Sequence, residues 1–129
     1  MPASINAQFV VYNPEQQARI EPADATLYQR LEQNYNGFQG HTLVSCYEFD
    51  ADWANWELHP AGDEVVILLS GQATMLLQHE HGIEQIELHQ ANDFCLVPRN
   101  TWHRAKIAGA TKMMFVTPGA GTVHRSGIN

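Results

Sequence analysis

From Gly40 onward the chain alternates short apolar runs with clusters of turn residues. HTLVSCYEF (41–49) alternates in polarity, WELH (56–59) is short, and EVVILLSG (64–71) is apolar on both faces. QATMLLQ (72–78), IEQIELH (83–89), DFCLVP (93–98), WHRAKI (102–107) and TKMMFVTP (111–118) complete the series. Strand-length runs at hairpin spacing, with no helix between them, predict an all-β antiparallel sandwich or barrel. Only residues 1–37 depart from this pattern. There EPADATLYQRLEQNYNG sets Leu27 and Leu31 four apart, between Pro22 and Asp24 at one end and Asn36-Gly37 at the other, and predicts one short helix.

The period of two also assigns faces. In WHRAKI, His103 points with Ala105 and Ile107, while Trp102, Arg104 and Lys106 take the other side. VVILL is apolar on both sides, so its outer face is expected to be covered by the N-terminal segment, a second sheet or a partner subunit. No repeat or linker divides the chain. It reads as a single domain with an extension over 1–37, a barrel over 38–118 and a glycine-rich C-terminal tail over 119–129, mobile or exchanged with a partner.

Composition narrows the partners. Fourteen acidic against seven basic residues give a formal charge of -7 over 129 residues. No basic run is present, which argues against nucleic acid and anionic membrane surfaces. The start, MPASINAQFVVYNPEQ, lacks a cationic head and apolar core, so a cytoplasmic location is expected. Cys46 and Cys95 sit singly inside apolar runs and read as buried thiols.

The candidate chemistry gathers before the most apolar run. Glu57 and His59, two apart, share a strand face, and Glu64 follows the turn HPAGD, which can lay it on the strand adjacent to His59. His103 arrives from a later strand, facing inward. Two imidazoles and two carboxylates meeting inside a barrel would form a divalent-cation site. The alternative is an empty pocket, with Glu57 in solvent, His59 bonded locally and Glu64 paired with Arg99 or Arg104. Asp63 must face away from Glu64 and reads as a turn cap.

The run Glu57-x-His59-x4-Glu64-x6-Gly71 resembles the first motif of the cupin superfamily, and Asn92-Asp93-x4-Pro98-x-Asn100-x2-His103 resembles its second. The likeness covers residues 40–118, with a compact segment between the motifs. It implies a double-stranded β-helix, the cupin or jelly-roll barrel, with metal ligands at His59, Glu64 and His103. Departures are present. Glu57 stands where the family has the first histidine of its pair, and Ala51, Asn92 and Asn100 stand in place of glycines. Ile107 replaces a final asparagine. Asparagine accepts the left-handed backbone of a glycine turn, so those two changes are mild. A carboxylate at 57 makes a harder, more anionic site for one divalent ion, suited to Mn, Fe, Ni or Zn.

Tyr47 and Phe49 share a face of the 41–49 strand, and with Trp56 and Trp102 they are expected to line a ligand pocket; Trp53 is a further candidate wall. His79 and His81 flank a hairpin tip, and His41, His89 and His124 are isolated, so these are expected at the surface. The implied function is metal-dependent chemistry on a small organic molecule, of dioxygenase, isomerase, lyase or decarboxylase type, in a homodimer. The alternative is a non-catalytic ligand-binding or sensor cupin whose metal is structural or absent. No nucleophile elbow or phosphate-binding loop supports covalent or nucleotide chemistry.

Overall fold

A computed structural model describes residues 1–127. Two antiparallel sheets pack face to face. The chain runs through β1 (Gln8–Tyr12), β2 (Ala18–Pro22), helix α1 (Leu27–Asn34), a 3-10 turn (Asn36–Phe38), β3 (Thr42–Phe49), β4 (Asn55–Leu58) and β5 (Glu64–Ser70). It continues with β6 (Ala73–His79), β7 (Gly82–Leu88), β8 (Phe94–Val97), β9 (His103–Ile107), β10 (Thr111–Thr117) and β11 (Val123–Ser126). The six-stranded sheet has the order β2-β1-β3-β10-β5-β8, and the five-stranded sheet the order β11-β4-β9-β6-β7.

The strands from β3 to β10 fall where the apolar runs place them. Their inward residues, Val66, Leu68, Met75, Leu77, Val97, Ala105 and Met113, are almost fully buried between the sheets. Alternation therefore supplies the core directly. The turns behave as their residues require: Asn92 and Asn100 adopt φ of 79° and 61°, the left-handed region asparagine tolerates.

The extension is richer than one helix. Residues 8–22 form a hairpin whose first strand pairs with β3, Val10 opposite Val44 and Val11 opposite Leu43. Asn13 closes its turn by accepting from the backbone N–H of Glu15 and Gln17 at 3.0 and 2.8 Å. The second strand lies at the sheet edge and is mostly exposed, so the burial alternation that reveals a strand is missing there. Helix α1 buries Leu27 and Leu31 against Phe9, Val11, Phe38 and Leu43, forming a second apolar cluster over one end of the sandwich.

The glycine-rich end also differs from expectation. Val123–Ser126 pairs in register with β4 of the same chain, Val123 opposite Leu58 and His124 opposite Glu57, so this part of the tail is a strand. The tail's last two residues, 128 and 129, lie outside the described residues. The outer face of β5 and β8 stays partly open, with Phe94 and Leu96 exposed. Among the described residues, no helix is long and apolar enough to cross a membrane.

Candidate metal centre

Strand register builds the site. Glu57 on β4 lies opposite His103 on β9 and opposite His124 on β11, so the three share one inward-facing row. His59 follows one residue after β4. Glu64 opens β5 on the facing sheet, not on a strand adjacent to His59, because the HPAGD turn carries the chain from one sheet to the other; its side chain crosses the gap. The Nε2 atoms of His103 and His59 lie 3.1 and 3.3 Å from the Glu64 carboxylate, and His59 Nε2 lies 3.7 Å from Glu57. One ligating atom from each of Glu57, His59 and His103 falls within 4.8 Å of the others. His103, Glu64 and His59 are buried, at 0%, 3% and 4% exposure.

The neighbours decide the protonation pattern. His103 Nδ1 donates to the Thr101 carbonyl at 3.0 Å. The Thr122 hydroxyl gives its hydrogen to the Gly119 carbonyl at 2.8 Å, so it can only accept from His59 Nδ1, also at 2.8 Å. Each neutral imidazole therefore carries its hydrogen on Nδ1 and turns a bare Nε2 inward. Glu64 accepts a hydrogen bond from Thr117 Oγ1 at 2.6 Å through its other oxygen.

His59 Nε2, His103 Nε2 and Glu64 Oε1 are buried without a hydrogen-bond donor. Three acceptors facing one another repel unless a cation sits among them. Ligands about 2.0–2.2 Å from a common ion stand roughly 3–4 Å apart, and the Glu64–His103, Glu64–His59 and Glu57–His59 separations of 3.1, 3.3 and 3.7 Å match that. The His/Glu cluster fits a divalent metal ion.

Without metal, a proton takes the cation's part. Burial pushes the Glu64 carboxyl up, but hydrogen bonds and charge from His103 and His59 outweigh it and hold the pKa at about 2, against an ordinary 4.5. Burial likewise pushes His103 down, and the Glu64 carboxylate more than reverses this, leaving it above 6.5. A depressed acid stabilises the fold above its unfolded value and loses that contribution as pH falls. A raised histidine stabilises it below its unfolded value and loses that as pH rises. The metal-free protein is therefore expected to melt highest between about pH 4.5 and 6.5, with a decline on both sides. Calorimetry in a chelating buffer checks this, and a steady rise through pH 8 would contradict it.

Thr122 is a positioning residue for His59. Thr122→Val keeps the shape and removes the acceptor, and is expected to weaken metal binding by about 10–100-fold. Manganese titration followed by electron paramagnetic resonance reads the change; an unaltered affinity would remove Thr122 from this role.

The centre opens into a cavity of about 890 Å³ at the α1 end of the sandwich, lined among others by Tyr47, Phe49, Trp53, Phe115 and His124. Tyr28 of α1 reaches across the mouth and hydrogen-bonds the Tyr47 hydroxyl. Trp56 and Trp102, expected in the pocket, lie outside it. Each is adjacent in sequence to an inward residue, so alternation turns it to the outer face of the five-stranded sheet. There Trp56 packs against the guanidinium groups of Arg104 and Arg125 at 5.7 and 5.6 Å, and Trp102 stacks on Arg125 at 4.5 Å.

The aromatic wall nearest the centre is Trp53, with ring centroids 6.2 Å from His103 and 5.9 Å from Phe115. His124, expected at the surface, is exposed but also lines the cavity. Its Nε2 is 3.6 Å from Glu57, and the only cue was the strand hidden in the glycine-rich tail. Neither arginine offered as a partner for Glu64 reaches it. Arg99 donates to the Ala61 carbonyl and Arg104 to the carbonyls of Gly127 and Trp53. Asp63, expected to cap its own turn, instead accepts from the Arg99 backbone N–H at 2.7 Å and ties that turn to the loop after β8. His79 and His81 stack at the exposed β6–β7 tip.

No protein-family model and no curated protein sequence matches the chain. Solved structures do match its fold. Oxalate oxidase aligns with a TM-score of 0.55 at 14% identity, covering 64% of this chain and 45% of that one. A cupin-2 domain protein from Shewanella frigidimarina aligns at 0.51 and 19% identity, covering 60% and 70%. Hydroxypropylphosphonic acid epoxidase from S. wedmorenis aligns at 0.50 and 17% identity, covering 59% and 43%. The chain spans less than half the length of the two enzymes. Its fold is that of the cupins, a jelly roll of two antiparallel sheets, and metal enzymes are among the neighbours that share it.

Proposed function

We propose that the protein binds one divalent cation through Glu57, His59, Glu64 and His103 and carries out metal-dependent chemistry on a small organic molecule held in the adjoining cavity. The observation that carries this reading is the trio of buried, donorless acceptors between the sheets. The epoxidase neighbour, crystallised in an Fe(II) form, supports iron among the candidates. Two carboxylates in the donor set favour a hard or borderline ion such as Mn, Fe, Ni or Zn.

A bound cation supplies Lewis acidity toward a substrate oxygen. The protein's own residues do the rest. Thr101 and Thr122 orient the imidazoles, and Trp53, Phe49 and Phe115 exclude water from one side of the centre. Tyr28 and Tyr47 bridge the mouth. His124 is more exposed than the buried pair and can pass a proton between Glu57 and solvent. Elemental analysis of untagged protein is expected to find about one metal ion per chain. Absence of any bound element after expression in metal-supplemented medium would overturn the reading.

The exposed Phe94 and Leu96 on the outer sheet face support the expected homodimer. Sedimentation equilibrium should give twice the chain mass, and a monomer at tens of micromolar would dismiss it.

A further inference from the structure

None of the seven arginine and lysine residues lines the cavity. Arg30 is held by Glu21 and Asp24, and Arg99 by the Ala61 carbonyl. Arg104 and Arg125 belong to the tryptophan ladder on the outer face of the five-stranded sheet. Arg19 lines a separate small depression beside Asn13 and His41. Lys112 lies on β10 opposite Glu48, and Lys106 is exposed on β9, one residue out of phase with inward Ala105. None of them is among the residues lining the large cavity.

That lining contains four carboxylates instead: Glu32, Asp52, Glu57 and Glu64. Asp52 already accepts from the Ile107 N–H at 2.7 Å, and Glu32 stands on α1 near the mouth. Two of the four, Glu57 and Glu64, would neutralise a divalent cation between them, so a loaded centre presents no surplus positive charge. Aromatic rings of Phe38, Tyr47, Phe49, Trp53 and Phe115 form much of the rest, and the imidazoles of His59 and His124 are its only titratable nitrogen groups among the described residues. Trp53 is part of the cavity wall, while its indole N–H is itself buried.

We propose that the cavity selects a ring-bearing small molecule with no negative charge, and excludes carboxylates and phosphonates. This deepens the function proposed above and rests on its site. An anion entering here would give up its water to meet carboxylates and aromatic faces, with no guanidinium or ammonium to receive it. A flat uncharged body meets ring faces and edges that bury it.

The test uses two probes of equal bulk, 2-naphthalenemethanol and 2-naphthoate. Each is titrated into manganese-loaded and metal-free full-length protein by isothermal titration calorimetry. Manganese loading is measured separately by paramagnetic resonance. The alcohol is expected to bind at least about tenfold more tightly than the acid in both forms. Glu32→Gln is expected to bring the acid several-fold closer and leave the alcohol unchanged, since that carboxylate lines the cavity without belonging to the metal-ligand cluster. Equal or tighter binding of naphthoate would overturn the proposal while leaving the metal site standing. Binding of neither probe would also overturn it. Failure to load manganese or any other metal would remove the metal reading, and the charge preference would still be read on the metal-free protein.

Discussion

His103→Ala is expected to abolish metal uptake and to lower stability by about 3–5 kcal/mol, the cost of breaking a buried charged pair. The imidazole has no exposed surface, it is 3.1 Å from Glu64, and its Nδ1 bond to Thr101 leaves Nε2 nowhere else to turn. Alanine would remove a ligand and open a void between the sheets. It would also strip Glu64 of the partner that most strongly holds its carboxyl down. Elemental analysis should fall from about one ion to less than about a tenth per chain, and chemical denaturation should report the stability loss. Glu57→Gln separates the two effects. Glu57 is about a third exposed, so this variant should keep nearly the parental melting temperature while binding metal more weakly. A His103→Ala protein that still carries a full complement of metal would refute the ligand assignment outright.

Gly71→Ala is expected to be the most damaging single methyl in the molecule, costing more than about 3 kcal/mol or preventing folding. Gly71 turns the chain from β5 into β6 with φ of 83°. A Cβ there would lie 2.4 Å from the Ala110 carbonyl oxygen, 2.5 Å from Thr111 Oγ1 and 2.7 Å from Thr111 Cα. Two of these are backbone atoms at the start of β10. Moving them disturbs the strand that brings Phe115 to the cavity and Thr117 to Glu64. Gly109→Ala provides the control. It has a similar φ of 77° but nothing within 4 Å of the added carbon, so it should cost only about 1 kcal/mol of backbone strain. Thermal unfolding of the pair distinguishes clash from strain, and equal losses would show that the close approach to β10 has no energetic weight.

Much of the site was legible because it obeys alternation. Glu57 and His59 are two apart, and His103 is in phase with Ala105, so an inward assignment needed only strand period. The same rule sends Trp56 and Trp102 outward, since each adjoins an inward residue. Their size suggested a pocket wall, but parity decided otherwise. Trp53 was harder to place, because it precedes β4 in an irregular segment where no period applies. The Arg104 side chain fixes that segment by donating to the Trp53 carbonyl at 2.8 Å.

The strand of His124 and the N-terminal hairpin escaped for a related reason. Edge strands bury little on either side, so the polarity pattern that betrays a central strand is weak in ARIEP and VHRS.

By itself the sequence determined the strand series, the shared face of Glu57 and His59, the inward phase of His103, the helix over Leu27 and Leu31, and the asparagine turns. All of these follow from local periodicity and backbone preference, which act within a few residues. Only the tertiary structure decided that β4 lies between β9 and β11, that Glu64 crosses from the opposite sheet, and that the basic side chains are distributed away from the cavity. Those are long-range pairings. Their energy comes from contacts between segments forty or more residues apart, such as His59 with Thr122, and no short stretch of sequence contains both partners.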